Sequence, residues 1–394
     1  MPKLHLKPNR DRSVRRFHPW IFSGSLNRLE GAVAPGVIVD VLAADGSYLG
    51  RGFYNPHSQI ICRMLTWRDE PIDAAFFERK IDDAYRLRFG LFGIREKRKT
   101  NAFRVVNAEG DGLPGLIVDQ YAGFVAIQIS TLGMRRFQQE IVLALQKILQ
   151  PEGIFERSAG AVLLEEGMQP VTQVLAGAEP PPIIHIREND LLFAVDLHRG
   201  QKTGFFLDQR ENRVWAARMG RGRTVLNAFG YTGAFSVYTA KAGAQRVVTV
   251  DSSASAMELA KQNFFLNKLE VAPEDFVVAD VFHYLRATTD RFDFIILDPP
   301  AFAHRQKEVE NAARAYKDIN LQAMRIVAPG GLLLTCSCSQ PVSPDLFQKI
   351  LFAAATDAGR FVRILGQSGH APDHPVSVCH PEGRYLQAVL LYVE

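Results

Sequence analysis

Five apolar, β-rich runs in the second half of this chain each end in small or polar residues, and that pattern limits the fold more than any other feature. The runs are TVLNAFGYTG, RVVTVDSS, EDFVVADV, RFDFIILDPP and GGLLLTCSCS, with helical stretches between them, for instance 254–267 and 311–327. Strands apolar on both sides and alternating with helices predict a parallel, doubly wound α/β sheet. Ligands bind such sheets at the carboxyl ends of the strands. The small and polar strand-end residues therefore mark the expected site.

VLNAFGYTGAFS (225–236) reads as a strand, a tight turn and a helix. Gly230 and Gly233 permit a sharp turn and close approach of backbone to ligand. Asn227, Phe229, Tyr231 and Thr232 complete the turn and are expected to line a cofactor site. The spacing departs from G-x-G-x-x-G, which argues against a dinucleotide fold. The next strand ends in Asp251-Ser252-Ser253, about 20 residues on, and a carboxylate there can accept hydrogen bonds from both ribose hydroxyls. The third strand ends in Ala279-Asp280-Val281, where Asp280 can face an adenine amino group. This succession resembles the class I S-adenosylmethionine-dependent methyltransferases, and implies S-adenosyl-L-methionine as cofactor.

The fourth strand carries Asp298-Pro299-Pro300 at its carboxyl end, with Phe302 two residues further. Prolines stiffen the loop and present its carbonyls in fixed geometry. Similar loops in nucleic-acid base methyltransferases hold an extruded base, with an aromatic residue stacked on it. Asp298, Pro299, Pro300 and Phe302 are accordingly expected at the substrate, with Asp298 also beside the cofactor. The fifth strand places Cys336 at its end, facing the same pocket, and Cys338 two residues later. Thr335-Cys336-Ser337 resembles the nucleophile motif of RNA cytosine-C5 methyltransferases, which makes Cys336 the expected nucleophile and Cys338 its competitor. A thiolate adding at carbon 6 makes carbon 5 of cytosine reactive enough to take a methyl group. An acid such as Asp298 would protonate N3. In the best-known RNA cytosine-C5 enzymes a second cysteine follows the proline of the fourth-strand motif. This chain has Pro300 and Ala301 there, leaving methylation of a purine nitrogen as the alternative.

Just before the first of these strands, GQKTGFFLDQRENR (200–213) can fold over the cofactor pocket, bringing Phe206, Asp208, Gln209 and Arg210 to it. The first 75 residues read instead as short strands broken by turns, including an Asp45-Gly46 hairpin signal. Residues 76–195 mix strands with helices, among them one expected at 134–149. These shifts predict an all-β module (1–75), a central mixed α/β domain (76–195) and the doubly wound domain (196–394).

The net charge of +4 says little about partners, but its distribution says more. Residues 1–20 hold six Lys/Arg, Arg15 and Arg16 among them, against Asp11. Residues 84–104 hold seven, including Lys97 and Arg98, against Glu96. Such clusters can neutralise phosphates. Four scattered cysteines form no disulfide framework, and Cys336 with Cys338 cannot alone complete a zinc site, so no metal is expected. No apolar run is long enough for a signal peptide or a membrane span, and a cytoplasmic protein without a membrane partner is expected.

HPWIFSGSL (18–26), GRGFYN (50–55), EGDGLPGLIVD (109–119), KTGFFLDQRENR (202–213), NAFGYTGAFS (227–236), LDPPAF (297–302) and TCSCS (335–339) occur in one order along nearly the whole chain. Together they are similar to the RlmI-type 23S ribosomal RNA (cytosine-C5) methyltransferases. The resemblance implies an N-terminal PUA RNA-binding domain, a Rossmann-like catalytic domain and large-subunit ribosomal RNA as partner. A homodimer is the further assembly considered. A non-catalytic RNA-binding assembly factor is the reading from another class, against which the polar residues at every strand end count.

Overall fold

Residues 1–92 and 99–394 are described by the computed structural model. Lys97 and Arg98 of the second basic cluster lie outside the described residues. The chain divides into two units. One comprises Met1–Arg187, Val195–Leu207 and Pro372–Gly383; the other comprises Glu188–Ala194, Asp208–Ala371 and Arg384–Glu394.

In the second unit the five apolar runs supply five strands of a seven-stranded sheet, and two C-terminal strands outside those runs complete it. In chain order its strands are Thr224–Ala228, Arg246–Asp251, Phe276–Val278, Phe292–Leu297, Val327–Ser337, Val362–Ser368 and Gln387–Val393. Numbered so, they lie in the order 3-2-1-4-5-7-6. The pairings across 3-2-1-4-5 are parallel, and the last strand runs antiparallel to both its neighbours. Alternate residues enter opposite cores, as the two-residue period of a strand requires. Leu226, Ala228 and Leu297 pack with Ile319 and Ala323 on one face, while Val225, Phe294 and Ile296 pack with Ala216 and Phe235 on the other. Helix Val309–Ile326 buries Ala312, Tyr316, Ile319, Ala323 and Ile326, one apolar stripe at spacings of three and four. Helix Pro344–Ala358 begins at a Ser343 cap with proline in its first turn, and ends at Gly359 in the left-handed conformation. The order of strands reverses between the first and fourth, which opens a crevice at their carboxyl ends.

In the first unit, six short strands from Lys3–Leu6 to Ile60–Thr66 form one sheet. Its Asp45-Gly46 turn has Gly46 at φ +83°, and Asp45 Oδ1 accepts the Ser47 N–H at 2.9 Å. Helix Ala74–Phe92 and a five-stranded sheet spanning Ala102–Gly177 follow. The single helix expected at 134–149 is instead two, Leu132–Arg136 and Gln138–Leu149. The break falls at Phe137, whose ring centroid lies 4.8 Å from that of Phe77 and 5.8 Å from that of Phe53. Tertiary packing of one aromatic ring here outweighs helix propensity. Strand Val171–Gly177 has no matching sequence expectation. It is a sheet edge with mostly exposed residues, so it lacks the alternation that signals a strand.

Candidate active site

The turn after the first strand of the seven-stranded sheet is strained. Phe229, Tyr231 and Gly233 all have positive φ (+61°, +46° and +73°), a conformation that costs side-chain-bearing residues free energy. Gly230 admits no side chain, because a Cβ there would stand 2.4 Å from Thr249 Cγ2. Asp251 holds the turn in place. Its Oδ2 accepts the Tyr231 N–H and its Oδ1 the Ser253 N–H, both at 2.9 Å. Each carboxylate oxygen has two lone pairs, so capacity remains for a ligand hydroxyl. Beneath the turn Asn227 is fully buried and donates to Ser236 Oγ at 2.8 Å. Asn227 Oδ1 and Thr232 Oγ1 are buried without a partner among the described residues. Strain and unsatisfied polar atoms clustered on one strand end are what a preformed ligand cradle requires.

Other expected cofactor residues have structural duties. Ser253 caps the helix Ala254–Leu266, its Oγ accepting the Ala256 N–H, while Ser252 is exposed. Asp280 is exposed and caps the next helix, with Oδ1 accepting the His283 N–H at 2.8 Å; Val281 is buried as the first residue of that helix. Asp208, Gln209 and Arg210 are all buried in the second unit. Tyr385 donates to Asp208 Oδ2 at 2.5 Å, and Gln209 donates to Asp298 Oδ1 at 2.7 Å. Phe206 belongs to the first unit, where the Lys202 ammonium lies 4.6 Å from its ring centroid.

At the end of the fourth strand Asp298 is half-buried, Pro299 buried and Pro300 exposed. Phe302 is half-buried in an aromatic chain, its centroid 4.7 Å from that of Tyr316 and 5.9 Å from that of Phe282. It therefore packs in part against other rings of the protein. Ser339, also buried, ties this loop to the fifth strand. Its Oγ accepts the Ala303 N–H at 3.0 Å and lies 2.9 Å from the Tyr316 hydroxyl.

The two cysteines of the fifth strand differ sharply in surroundings. Cys336 is 1% exposed and sits among Phe235, Phe294, Ile296 and Leu334. Burial, and then the nearby Asp298 charge, push its thiol well above the ordinary range. The strand stops at Ser337, so Cys338 leaves the sheet. Cys338 is half-exposed, and its Sγ lies 3.6 Å from the Pro299 carbonyl oxygen. Cys338 is thus the more accessible of the two thiols. Iodoacetamide is accordingly expected to label Cys338 and half-exposed Cys379 in the folded protein. Cys336 and Cys62, the latter pushed up to about 12 by burial, should react only in denaturant. Peptide mapping of the alkylated protein checks this.

Of the expected phosphate contacts, Arg16 is exposed on the first unit and borders an open groove with Arg10 and Arg12. Arg15 is exposed too, but its Nε donates to Asp11 at 2.6 Å and its guanidinium also reaches Ser47. Sequence patterns did not bring forward Asn212 or Tyr385, buried or half-buried partners of the 208–210 segment.

Compared with known proteins, residues 145–379 match an S-adenosylmethionine-dependent methyltransferase family and residues 4–67 a PUA-like domain. The chain is 42% identical over 390 residues to "Ribosomal RNA large subunit methyltransferase I" of Yersinia pseudotuberculosis, covering 98% of each chain. A solved structure from Streptococcus mutans, described as an S-adenosylmethionine-dependent methyltransferase, superposes with a TM-score of 0.85 over 100% of both chains at 24% identity. Another, a methyltransferase complexed with S-adenosylhomocysteine, gives 0.86 over 100% of both chains at 25% identity.

Proposed function

Because the chain belongs to the ribosomal RNA large subunit methyltransferase I family of S-adenosylmethionine-dependent enzymes, we propose that it methylates carbon 5 of a cytosine in large-subunit ribosomal RNA, with Cys338 as nucleophile. The observation that carries this reading is Cys338 itself: a half-exposed thiol one residue past the fifth strand, beside the Asp298-Pro299-Pro300 loop. It replaces Cys336, the sequence-based expectation, whose side chain is only 1% exposed.

The strained turn suits an adenosyl cofactor. Asp251 would hold the ribose hydroxyls, the 229–233 backbone would lie against the amino-acid portion, and Asp280 with Val281 would border the adenine. S-Adenosylmethionine, when bound, supplies an electrophilic methyl group on a sulfonium. Cys338 would add as thiolate to carbon 6 of the cytosine, moving the ring electrons towards carbon 5 while Asp298 delivers a proton to N3. After carbon 5 has been methylated, its proton passes to water. The carbon–sulfur bond then breaks, returning the electron pair to Cys338, and N3 gives its proton back to Asp298. Residues 1–75, with Arg16 and its neighbours, would grip RNA phosphates, and 196–394 would carry out the chemistry, with 76–195 between them.

Replacing Asp251 by Ala removes both the ribose acceptor and the brace of the turn. Cofactor affinity should fall by roughly tenfold or more, since hydrogen bonds to charged groups contribute about 1.5–3 kcal/mol each. Calorimetric titration with S-adenosylhomocysteine measures it. The reading as a whole is tested by mass-spectrometric mapping of labelled methyl groups in ribosomal RNA. Label at carbon 5 of a cytosine is expected; label on a purine nitrogen would overturn the reading in favour of the alternative chemistry.

A further inference from the structure

We propose that Asn212 and Gln209 form a one-way amide relay that fixes the Asp298 carboxylate, which makes Gln209 a positioning residue for methyl transfer rather than a cofactor ligand. The proposal rests on the assignment of Asp298 to the substrate base. The direction of the relay is set at its far end by a main-chain carbonyl. The Gly369 oxygen can only accept, so Asn212 must turn its Nδ2 towards it, at 3.2 Å. The second hydrogen of that Nδ2 goes to Gln209 Oε1 at 2.6 Å. With its oxygen so engaged, Gln209 has to present Nε2 to Asp298 Oδ1, at 2.7 Å.

Neither amide can exchange its partners for water, since Asn212 is 0% and Gln209 2% exposed. Flipping either amide would set oxygen against oxygen. The arrangement also carries a cost, because Asn212 Oδ1 is left buried without a partner among the described residues. A purely structural contact would have no use for that loss. Its consequence for chemistry is specific. Asp298 Oδ1 receives an N–H, which favours the other oxygen as the place for a proton that Asp298 carries. The relay thus selects both the orientation of the carboxyl group and the oxygen that can donate to a base.

Gln209→Met and Asn212→Leu each break the relay without altering Asp298. Each should lower kcat by roughly tenfold, a misorientation effect, and leave the KM for S-adenosylmethionine within about twofold of wild type. A carboxylate deprived of a donor is more readily protonated, so the ionisation seen in the pH profile of kcat should move up by about one pH unit. The double variant should be no worse than either single one, because the two residues act through one path. An unshifted pH profile, a loss confined to KM, or additive losses would overturn the relay. Gln209→Met alone carries the test if Asn212→Leu fails to fold. Asp298→Asn, assayed alongside, separates the two levels: full activity in that variant would remove Asp298 from the chemistry, whereas loss of activity there with an unshifted Gln209→Met profile would overturn the relay alone.

Discussion

Cys338→Ala is expected to lower the rate of methyl transfer by about a thousandfold or more, whereas Cys336→Ala should keep it within about tenfold of wild type. Removing a covalent nucleophile forfeits the activation of carbon 5, and no neighbouring group in the second unit replaces it. The Cys336 thiol is raised by burial and by the Asp298 charge, so its thiolate is scarce at neutral pH. Its removal should cost some packing against Phe294 and Ile296. Single-turnover assays on ribosomal RNA separate the two variants, because cofactor binding should be intact in both. Equal losses would mean that Cys336 also reaches the base.

The second large effect concerns stability. Within the second unit Glu188, 0% exposed, accepts two hydrogen bonds from Arg213, at 2.8 and 2.7 Å, and one from the Tyr238 hydroxyl at 2.9 Å. Arg213 is 1% exposed. Glu188→Ala would leave a guanidinium buried without its counter-charge, a change that destabilises by about 3–5 kcal/mol. Replacing both residues by apolar ones of similar volume should be far milder, since neither charge is then stranded. Urea unfolding of the single and double variants measures the difference. A single variant within about 1 kcal/mol of wild type would show that water or a rearranged partner reaches Arg213.

The catalytic sheet was legible in the sequence because its strands are apolar on both faces and end in residues a packed core would not choose. Gly230, Asp251 and Asp298 could be read from that contrast alone, and they lie at consecutive strand ends of the parallel sheet. The distinction between Cys336 and Cys338 was not legible. It depends on the strand ending at Ser337, a one-residue boundary that propensity does not resolve. Phe302 shows a related limit: an aromatic after a loop reads the same whatever it meets, and its contacts with Tyr316 and Phe282 come only from the fold. Pairings over long sequence separation were also hidden. Segment Pro372–Gly383 returns to the first unit, where Asp373 accepts the Arg104 N–H at 3.0 Å, and nothing in its composition announces that.

The relay from Gly369 to Asp298 shows the same limit from another side. Asn212 and Gln209 stand three residues apart on a helix start, a spacing that brings side chains together. Their orientation, however, is dictated by a carbonyl more than 150 residues away in the chain. Local pattern can nominate such residues, and only the fold assigns their direction.

Covalent trapping tests the central claim most directly. RNA carrying 5-fluorocytosine cannot release a proton from carbon 5, so a thiolate that has added to carbon 6 remains attached once the methyl group is in place. Incubated with the protein and S-adenosylmethionine, a large-subunit ribosomal RNA fragment so substituted should form an adduct whose digested peptide carries the RNA on Cys338. No adduct, or one mapped to Cys336, would contradict the account.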